Sequence, residues 1–465
     1  MKTDRAILLA CSFAFIIVQL DVTIVNVALP QIGRELGADV AALQWVVDAY
    51  TLGFAVFLLS AGALGDKFGS RRTFLTGFAL FTAASLACAM APNATALNLA
   101  RALQGVGAAL LVPSSLAILN ATYADDKAKL AKAIAWWTAS GGLSIAAGPV
   151  LGGLLLSLAG WRSIFWVNVP ICVAGFWLTR RVVPALAGRD PHRSLDLAGQ
   201  LLAVVALTGL IGAVIEFEAL GWSHWMVRAG LAAAVVAGAL FIAVETRSRS
   251  PMLPLGLFRS APFSGAVLFG VLMNFSYYGV IFVLSFYLQK VRGFSVLHAG
   301  LVFLPLTATF ILSNIVSGWM APRTGLRTPM VLGAAIGASG YALLGWWGIS
   351  NDATFLQMLP GLALIPAGMG LGVPAMTTSI LSGVARGQAG TASAVLNTAR
   401  QVGGALGVAI FGALVAADHR ALTGMRLAMG ISAALLLLAA LLALACIRRP
   451  APAQHQLRPA ADCPG

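Results

Sequence analysis

Four charged side chains lie inside long apolar stretches of this chain: Asp21, Asp48, Arg101 and Arg400. A charge at the centre of a membrane-crossing helix costs about 2.5–3.5 kcal/mol, so each one requires a reason. If the stretches are helices, Asp21, Asp48 and Arg101 lie about 7–12 Å below the same membrane surface. An arginine beside a carboxylate favours its ionised form, and separating the two favours proton uptake. These three residues therefore predict a proton-coupling site, with a static buried ion pair as the alternative.

The composition indicates that these stretches cross a membrane. Of 465 residues, 59% are hydrophobic and only 10% are charged, whereas a soluble protein carries about 25% charged residues. The apolar residues come in runs of about 20, which match a hydrocarbon core of about 30 Å. We therefore expect an all-α polytopic membrane protein with 14 transmembrane helices, near residues 6–29, 41–64, 73–91, 96–119, 131–158, 162–183, 197–217, 226–245, 262–288, 297–320, 328–348, 354–380, 388–416 and 424–447.

Most of the 30 lysines and arginines form short clusters on one predicted side of the membrane. This asymmetry is typical of cytoplasmic loops, so we expect a multi-pass protein of the plasma membrane with both termini in the cytoplasm. The formal net charge of +14 comes largely from these clusters of lysines and arginines. Because the clusters form no continuous basic stripe, the charge does not predict a nucleic-acid partner.

The sequence offers little chemistry for catalysis. It contains no phosphate-binding G-x-x-x-x-G-K-[ST] loop and no C-x-x-C pair, and its five histidines lie in connecting segments or near the C-terminus. No nucleophile lies beside a base in a recognisable motif. We therefore predict no catalytic residue, no metal and no cofactor.

A glycine-rich loop motif occurs twice. The segment Gly62-Ala-Leu-Gly-Asp66-Lys67-Phe-Gly69-Ser70-Arg71 returns as Gly318-Trp-Met-Ala-Pro322-Arg323-Thr-Gly325-Leu-Arg327, and Gly105 and Gly148 match Gly361 and Gly404 at the same offset. The chain is therefore interpreted as two six-helix pseudo-repeats with two inserted helices. The predicted boundaries are 1–183 for the N-terminal bundle, 184–261 for the inserted helices and linkers, 262–447 for the C-terminal bundle and 448–465 for a cytoplasmic tail.

Four motifs resemble those of the major facilitator superfamily, in its 14-span drug:proton antiporter branch and its methylenomycin-type antibiotic exporters. The resemblance covers nearly the full chain. Ser70 departs from the loop motif, where a basic residue is usual. The motifs are Leu20-Asp21-Val-Thr-Ile-Val-Asn26-Val-Ala-Leu-Pro30, the loop with Gly62, Asp66, Lys67, Gly69 and Arg71, then Arg101-Ala-Leu-Gln104-Gly105, and finally Gly141 with Gly148-Pro149-Val-Leu-Gly152-Gly153.

The resemblance implies export of a small amphipathic molecule in exchange for protons, by alternating access between two helical halves. It also implies that Asp66 caps the start of the thirteenth helix, near Gly387 to Gly390, and so closes an inner gate. Each motif has a simpler explanation: the glycines let helices pack closely, and the basic loop residues set topology. The rival functions are a solute importer of the same fold and a membrane sensor without transport.

A substrate cavity is expected between the halves. Arg400 has no acidic residue in any predicted span of its own half, and Tyr277 is the repeat counterpart of Asp21. Interhelical hydrogen bonding without substrate contact is the alternative for each candidate. The balance of charges in the spans favours a neutral or carboxylate-bearing substrate, and we expect a monomer in the lipid bilayer. The predicted cavity residues are Asn26, Gln104, Asn274, Tyr277, Asn397 and Arg400.

Overall fold

The computed structural model describes residues 2–123, 126–184, 196–248, 251, 253, 255–350, 352–384, 389–416 and 421–447. Every regular segment in these ranges is helical, which confirms the prediction of an all-α protein. Helices satisfy their own backbone hydrogen bonds, as an apolar surrounding requires. The α-helices are α1 (Lys2–Leu36), α2 (Val40–Phe68), α3 (Ser70–Ala89), α4 (Ala94–Thr122), α5 (Lys127–Ala159), α6 (Ser163–Trp166), α7 (Asn168–Val182), α8 (Leu197–Leu220), α9 (Trp225–Arg247), α10 (Ala261–Phe286), α11 (Val296–Val302), α12 (Leu304–Thr324), α13 (Arg327–Leu343), α14 (Phe355–Ser382), α15 (Ala389–Val415) and α16 (Ala421–Cys446).

Twelve helical segments in the described part of the chain are long and apolar enough to cross a membrane. Two predicted spans are not among them. α5 is one helix from Lys127 to Ala159, of which several side chains lie outside the described residues, and the predicted tenth span is divided at Phe303 into α11 and α12. π-helical turns at Tyr287–Val291 and Leu344–Gly348 lengthen α10 and α13.

Side-chain caps start several helices where the sequence turns polar. Asp39 accepts a hydrogen bond of 2.8 Å from the Ala42 amide at the start of α2, and Asn93 accepts one of 2.8 Å from the Ala96 amide at the start of α4. Each cap satisfies an amide that has no partner within its own helix. Gly69 separates α2 from α3 with φ of 92°, a backbone conformation that favours glycine.

The long helices form two groups. In the N-terminal group (α1–α7), α2 and α3 pack on α4, and α1 packs on α5 and α7. In the C-terminal group (α10–α16), α12 and α13 pack on α14, and α10 packs on α15 and α16. Tyr123 at the end of α4 donates a hydrogen bond to the Asp4 carbonyl near the start of α1, and Gly265 near the start of α10 touches Cys446 at the end of α16. We call this end of the molecule the terminal side and the opposite end the far side.

Hydrogen bonds between the two groups lie on the far side or near the middle of the molecule. Ser285 Oγ donates a bond of 2.6 Å to the Asn26 carbonyl, and Gln289 Nε2 donates one of 3.0 Å to the Val27 carbonyl. Gln44 Nε2 reaches the Ala409 carbonyl at 2.7 Å. The described contacts therefore hold α1 and α2 against α10 and α15 on the far side.

The pair α8 and α9 lies outside both groups. The two helices pack on each other, and α8 also contacts α2 and α15. Gln200 on α8 donates a bond of 3.2 Å to the Val56 carbonyl on α2, while Ile211 packs with Leu52 and Ala405. The pair thus covers the line along which the two groups meet.

Candidate functional site

The carboxylate of Asp21 is the centre of a buried polar cluster in the N-terminal group. Arg101 on α4 forms an ion pair with its Oδ2. Gln104 Nε2 and Asn168 Nδ2 each donate a hydrogen bond of 2.9 Å to its Oδ1. Three donors from α4 and α7 therefore converge on one carboxylate of α1. Hydrogen bonds to an ionised carboxylate are stronger than those between neutral groups, so the cluster is matched to a negative charge.

Arg101 is held by more than its ion pair. Its Nε donates a bond of 2.9 Å to the Val46 carbonyl on α2, and its Nη1 donates one of 2.7 Å to Gln104 Oε1. The guanidinium carbon lies 4.3 Å from the ring centre of Tyr50 and 5.8 Å from that of Phe165. The cation is thus surrounded by an acid, two amide-type oxygens and two aromatic faces, which together offset the cost of burying it.

The cluster is closed to its surroundings. Ser85 Oγ on α3 accepts bonds from Gln104 Nε2 at 3.0 Å and from Asn168 Nδ2 at 3.4 Å. Asp21, Gln104, Ser85 and Asn168 are all 0% exposed. A substrate between the two helix groups could not touch Asp21 in this conformation. Any coupling to a substrate therefore has to pass through neighbouring side chains.

Asp48 lies on α2 and is also fully buried. Neither of its carboxylate oxygens has a hydrogen-bond partner among the described residues. Gln44, one turn earlier on the same helix, reaches the Ala409 carbonyl of α15. Since residues four apart share a helix face, Asp48 lies on the α15 side of α2, and no described bond joins it to Arg101.

The predicted glycine motif of α5 packs between two helices. A Cβ on Gly141 would overlap the Phe15 ring, and one on Gly148 would overlap Thr23, both on α1. Gly152 faces Ile24 on the same helix. On another side of α5, the Pro149 carbonyl and Gly153 lie against Gly300 of α11. The motif therefore lets α5 approach α1 within its own group and α11 across the boundary.

The predicted inner-gate loop is described only in part. Gly62 faces open space, Gly69 makes the turn, and Arg71 Nη2 donates a bond of 2.8 Å to the Arg180 carbonyl at the end of α7. Lys67 lies 5.8 Å from the Phe68 ring centre. The side chain of Asp66 and those of the predicted partner segment near 387–390 lie outside the described residues, although α15 begins at Ala389. The gate contact therefore stays a prediction.

In the C-terminal group, Arg400 Nε on α15 lies 3.5 Å from Asn274 Oδ1 on α10. Arg400 forms no ion pair among the described residues. Tyr278 on α10 packs against a large apolar cluster that contains residues of both groups and against a second cluster that belongs to the N-terminal group. Its neighbour Tyr277 is buried and stacks edge to face on it at 5.6 Å. Of the two tyrosines, Tyr278 is the one that packs against the N-terminal cluster containing Tyr50.

The other predicted cavity residues lie in different places. Asn26 is 3% exposed, and its Nδ2 donates a bond of 2.9 Å to the Val22 carbonyl. Asn397 Nδ2 donates one of 2.9 Å to the Ser393 carbonyl. Gln104 belongs to the Asp21 cluster. No group of three or more His, Cys, Asp or Glu side chains in the described part of the chain is arranged to hold a metal ion.

Three residues of the cluster were absent from the predicted site: Ser85, Asn168 and Tyr50. Asn168 lies six residues from the start of the predicted sixth span, so it shares the depth of Asp21 at 1.5 Å per residue. The count that grouped Asp21 with Arg101 could have found it. Ser85 and Tyr50 carry no charge to mark them.

Comparison with known proteins gives a consistent assignment. Residues 11–408 match the sequence profile of the Major Facilitator Superfamily. The chain is 36% identical to the Methylenomycin A resistance protein of Bacillus subtilis (strain 168), over 89% of this chain and 88% of that protein. It is 39% identical to the Tetracenomycin C resistance and export protein of Streptomyces glaucescens, over 88% and 75% of the two chains.

Solved structures share the fold at much lower sequence identity. A POT family transporter in complex with a thioalcohol-conjugated peptide superposes with a TM-score of 0.69 and 12% identity, over 95% of this chain and 94% of that chain. A second structure, from work on proton-dependent oligopeptide transporters, superposes with a TM-score of 0.68 and 17% identity, over 95% and 98% of the two chains. By its sequence match along most of its length, the chain belongs to the Major Facilitator Superfamily.

Proposed function

We propose that this protein exports small amphipathic molecules, antibiotics among them, in exchange for protons. The observation that carries the proposal is the Asp21 cluster: a carboxylate with three donors, fully enclosed within membrane-crossing helices. The names of the relatives, a methylenomycin A resistance protein and a tetracenomycin C resistance and export protein, supply the substrate class. One inward proton at a potential of 100 mV supports an approximately fiftyfold outward concentration ratio.

In the proposed cycle, Asp21 alternates between its ion pair with Arg101 and a protonated form. Protonation removes the charge that holds α1 to α4, while Arg101 keeps the Val46 carbonyl and the Tyr50 ring. Tyr50 in turn donates a bond of 3.2 Å to the Val18 carbonyl of α1. A change at Asp21 therefore reaches α2, and α2 contacts α15 of the other group.

Tyr278 is the proposed link between the proton site and the substrate site. It contacts the apolar core of the N-terminal group, to which Tyr50 belongs, and lies near Arg400 in its own group. The substrate is expected to bind near Arg400 and Asn274. Substrate binding there and protonation of Asp21 would then compete, because Tyr278 and Tyr50 connect the two sites.

The proposed arrangement in the membrane is the one expected from the sequence. It has 14 spans. Twelve are the long apolar segments described above, α5 is the thirteenth, and α11 and α12 together form the fourteenth. α1 packs on α5 in the N-terminal group as α10 packs on α15 in the C-terminal group. This equivalence supports two six-helix repeats with boundaries at 183 and 262. We propose a monomer in the bacterial plasma membrane, with the terminal side in the cytoplasm.

Proton flux from inside-out vesicles tests this function. Vesicles are acidified inside, and methylenomycin A or tetracenomycin C is added outside. We expect each active substrate to cause proton efflux, and no efflux from vesicles that carry Asp21→Asn. Substrate uptake with no proton movement would favour uncoupled transport, and neither flux would favour a sensor. Movement of substrate and proton in the same direction would identify an importer of the same fold.

A further inference from the structure

A cavity of about 160 Å³ opens on the far side, where α1 meets the segment that follows α10. It crosses the boundary between the two helix groups. The residues that line it are Pro30 and Arg34 from the N-terminal group, and Gln289, Lys290, Phe294 and Ser295 from the C-terminal group.

The cavity carries positive charge from both groups. Arg34 and Lys290 line it from opposite sides of the boundary, and none of the lining residues is acidic. The nearest acid along the chain, Glu35, accepts hydrogen bonds from Gln31 at 2.8 Å and from Trp161 at 2.9 Å. Two like charges facing one cavity repel each other unless an anion lies between them.

The size of the cavity limits the anion. At about 30 Å³ per water, 160 Å³ holds about five water molecules. Drug-sized ligands occupy about 300–1,000 Å³. The cavity therefore fits a single oxyanion group and is smaller than the sites that hold drug-sized ligands.

The position of the cavity indicates where that group comes from. Lys290 lies one residue before the end of the span Ala261–Val291. Trp346 and Trp222, at the far-side ends of two other helices, are 90% and 65% exposed. Exposed tryptophans at helix ends are typical of the headgroup level of a bilayer. Arg34 and Lys290 thus lie at the level where lipid phosphates are found, and arginine and lysine are the usual phosphate ligands.

We propose that this cavity binds a phosphate group, from a lipid headgroup or from free phosphate, and that the bound group holds the far side closed. Gln289 and Ser285 already join α10 to α1 beside the cavity. A phosphate between Arg34 and Lys290 adds a link that exists only while the two groups touch there. It binds the far-closed conformation more tightly and shifts the population toward it.

The test measures closure of the far side, so its outcome is independent of whether the protein exports drugs. Fluorescent labels are attached at Pro92→Cys and Asp352→Cys, two exposed far-side positions on the two groups, in a chain with Cys446 and Cys463 replaced by serine. The full-length protein is placed in nanodiscs of phosphatidylcholine. Inorganic phosphate is titrated, and a second series contains phosphatidylglycerol instead of free phosphate.

We expect energy transfer to rise with at least one of the two probes. A response to inorganic phosphate identifies a free anion as the ligand, and a response to phosphatidylglycerol alone identifies the lipid headgroup. The double variant Arg34→Ala/Lys290→Ala should require at least tenfold more of the active probe. The control Arg228→Ala removes an exposed arginine at the start of α9, outside the cavity, and should behave as wild type.

Charge reversal provides a gain-of-function arm. Arg34→Glu places a carboxylate in the cavity opposite Lys290, so we expect high energy transfer without phosphate and no further rise on its addition. No response of the wild type to either probe would overturn the proposal, as would equal losses in Arg228→Ala and the double variant. Low, phosphate-independent transfer in Arg34→Glu would overturn the bridging role.

Discussion

Asn168 on α7 donates a hydrogen bond of 2.9 Å to the carboxylate of Asp21 on α1. The same amide lies 3.4 Å from Ser85 Oγ on α3. One side chain therefore joins three helices at the residue that the family resemblance marks for proton coupling. Because a neutral amide cannot itself hold the proton, its role would be to position the carboxylate and stabilise its charge.

We predict that Asn168→Ala changes how export depends on pH, since it removes one of the three donors to Asp21. The lost hydrogen bond to a charged group costs about 1.5–3 kcal/mol of stability, so thermal unfolding of the variant is measured alongside export. The control is Asn98→Ala, which removes a similar bond from Asn98 Nδ2 to the Ala42 carbonyl, away from Asp21. Export is measured in vesicles over a range of pH. If export depends on pH in the same way in Asn168→Ala, Asn98→Ala and the wild type, Asn168 contributes only to packing.

Asp21→Asn is expected to abolish proton-coupled export, because an amide side chain cannot take up and release a proton at physiological pH. The variant leaves Arg101 without its carboxylate, and breaking a buried ion pair costs about 3–5 kcal/mol. The double variant Asp21→Asn/Arg101→Gln removes both charges and should recover most of that stability. Thermal unfolding and vesicle export are measured for both variants. Recovery of export as well as stability in the double variant would support the static ion pair.

The sequence predicted this pair because both residues are charged and lie at one depth. A charge inside an apolar run is conspicuous, and the rise of a helix converts position into depth. The neutral members of the cluster escaped prediction, since Ser85 and Tyr50 differ from many other polar residues only in their contacts. Gln104 was assigned to the substrate cavity, but its hydrogen bonds place it in the Asp21 cluster. Depth along a helix is readable from sequence, whereas the direction in which a side chain points depends on packing.

The number of membrane-spanning helices is also only partly predictable from the sequence. Apolar length predicts a span only where the helix is uninterrupted, and the predicted tenth span is divided at Phe303. The predicted sixth span begins with the short helix α6 and continues as α7 after Val167. This change places Asn168 in the first turn of α7, beside Asp21. Local breaks of this kind follow from tertiary contacts that hydropathy does not record.

Asp48 differs from Asp21 in having no described partner, and this difference predicts opposite effects on stability. Asp48→Asn removes a buried carboxyl group without breaking a described bond, so unfolding should occur at the same or a higher temperature. If Asp48 also carries protons, as its depth suggests, export falls while stability is kept. Both are measured on the same preparations. A marked loss of stability would indicate that Asp48 has a structural partner.

The close approach of α5 to α1 predicts that Gly148 tolerates no side chain. A Cβ there would overlap Thr23 Oγ1 and lie 2.9 Å from Thr23 Cβ and 3.2 Å from the Ile24 amide. Gly148→Ala should therefore destabilise the protein by about 1–3 kcal/mol, and Gly148→Leu should block transport. The control Gly142→Ala lies on the same helix, with its nearest contact, the Phe310 ring, at 4.0 Å. Comparable unfolding temperatures and export rates for Gly148→Ala and Gly142→Ala would show that this contact is incidental.

The last prediction concerns the charge of the substrate. Arg101 is neutralised by Asp21, whereas Arg400 has only the Asn274 amide oxygen at 3.5 Å and no described acid. A desolvated dication would need surplus acid nearby, and Asp48 is the one fully buried carboxylate described in the spans that has no hydrogen bond to either oxygen. Arg400 instead offers an uncompensated positive charge to a neutral or carboxylate-bearing compound. We therefore expect such compounds to be exported better than quaternary ammonium dications.

Resistance assays in cells that carry the wild type, Arg400→Ala or Arg400→Lys measure this preference. Arg400→Ala should lower resistance to carboxylate-bearing antibiotics the most and to neutral ones less. Arg400→Lys keeps the charge but loses the planar guanidinium, so it should retain part of the resistance to acidic compounds. Arg228→Ala is again the control for a lost arginine outside the boundary between the groups. Strong resistance to dications that persists in Arg400→Ala would contradict the charge argument, while the exporter assignment would stand on the Asp21 results.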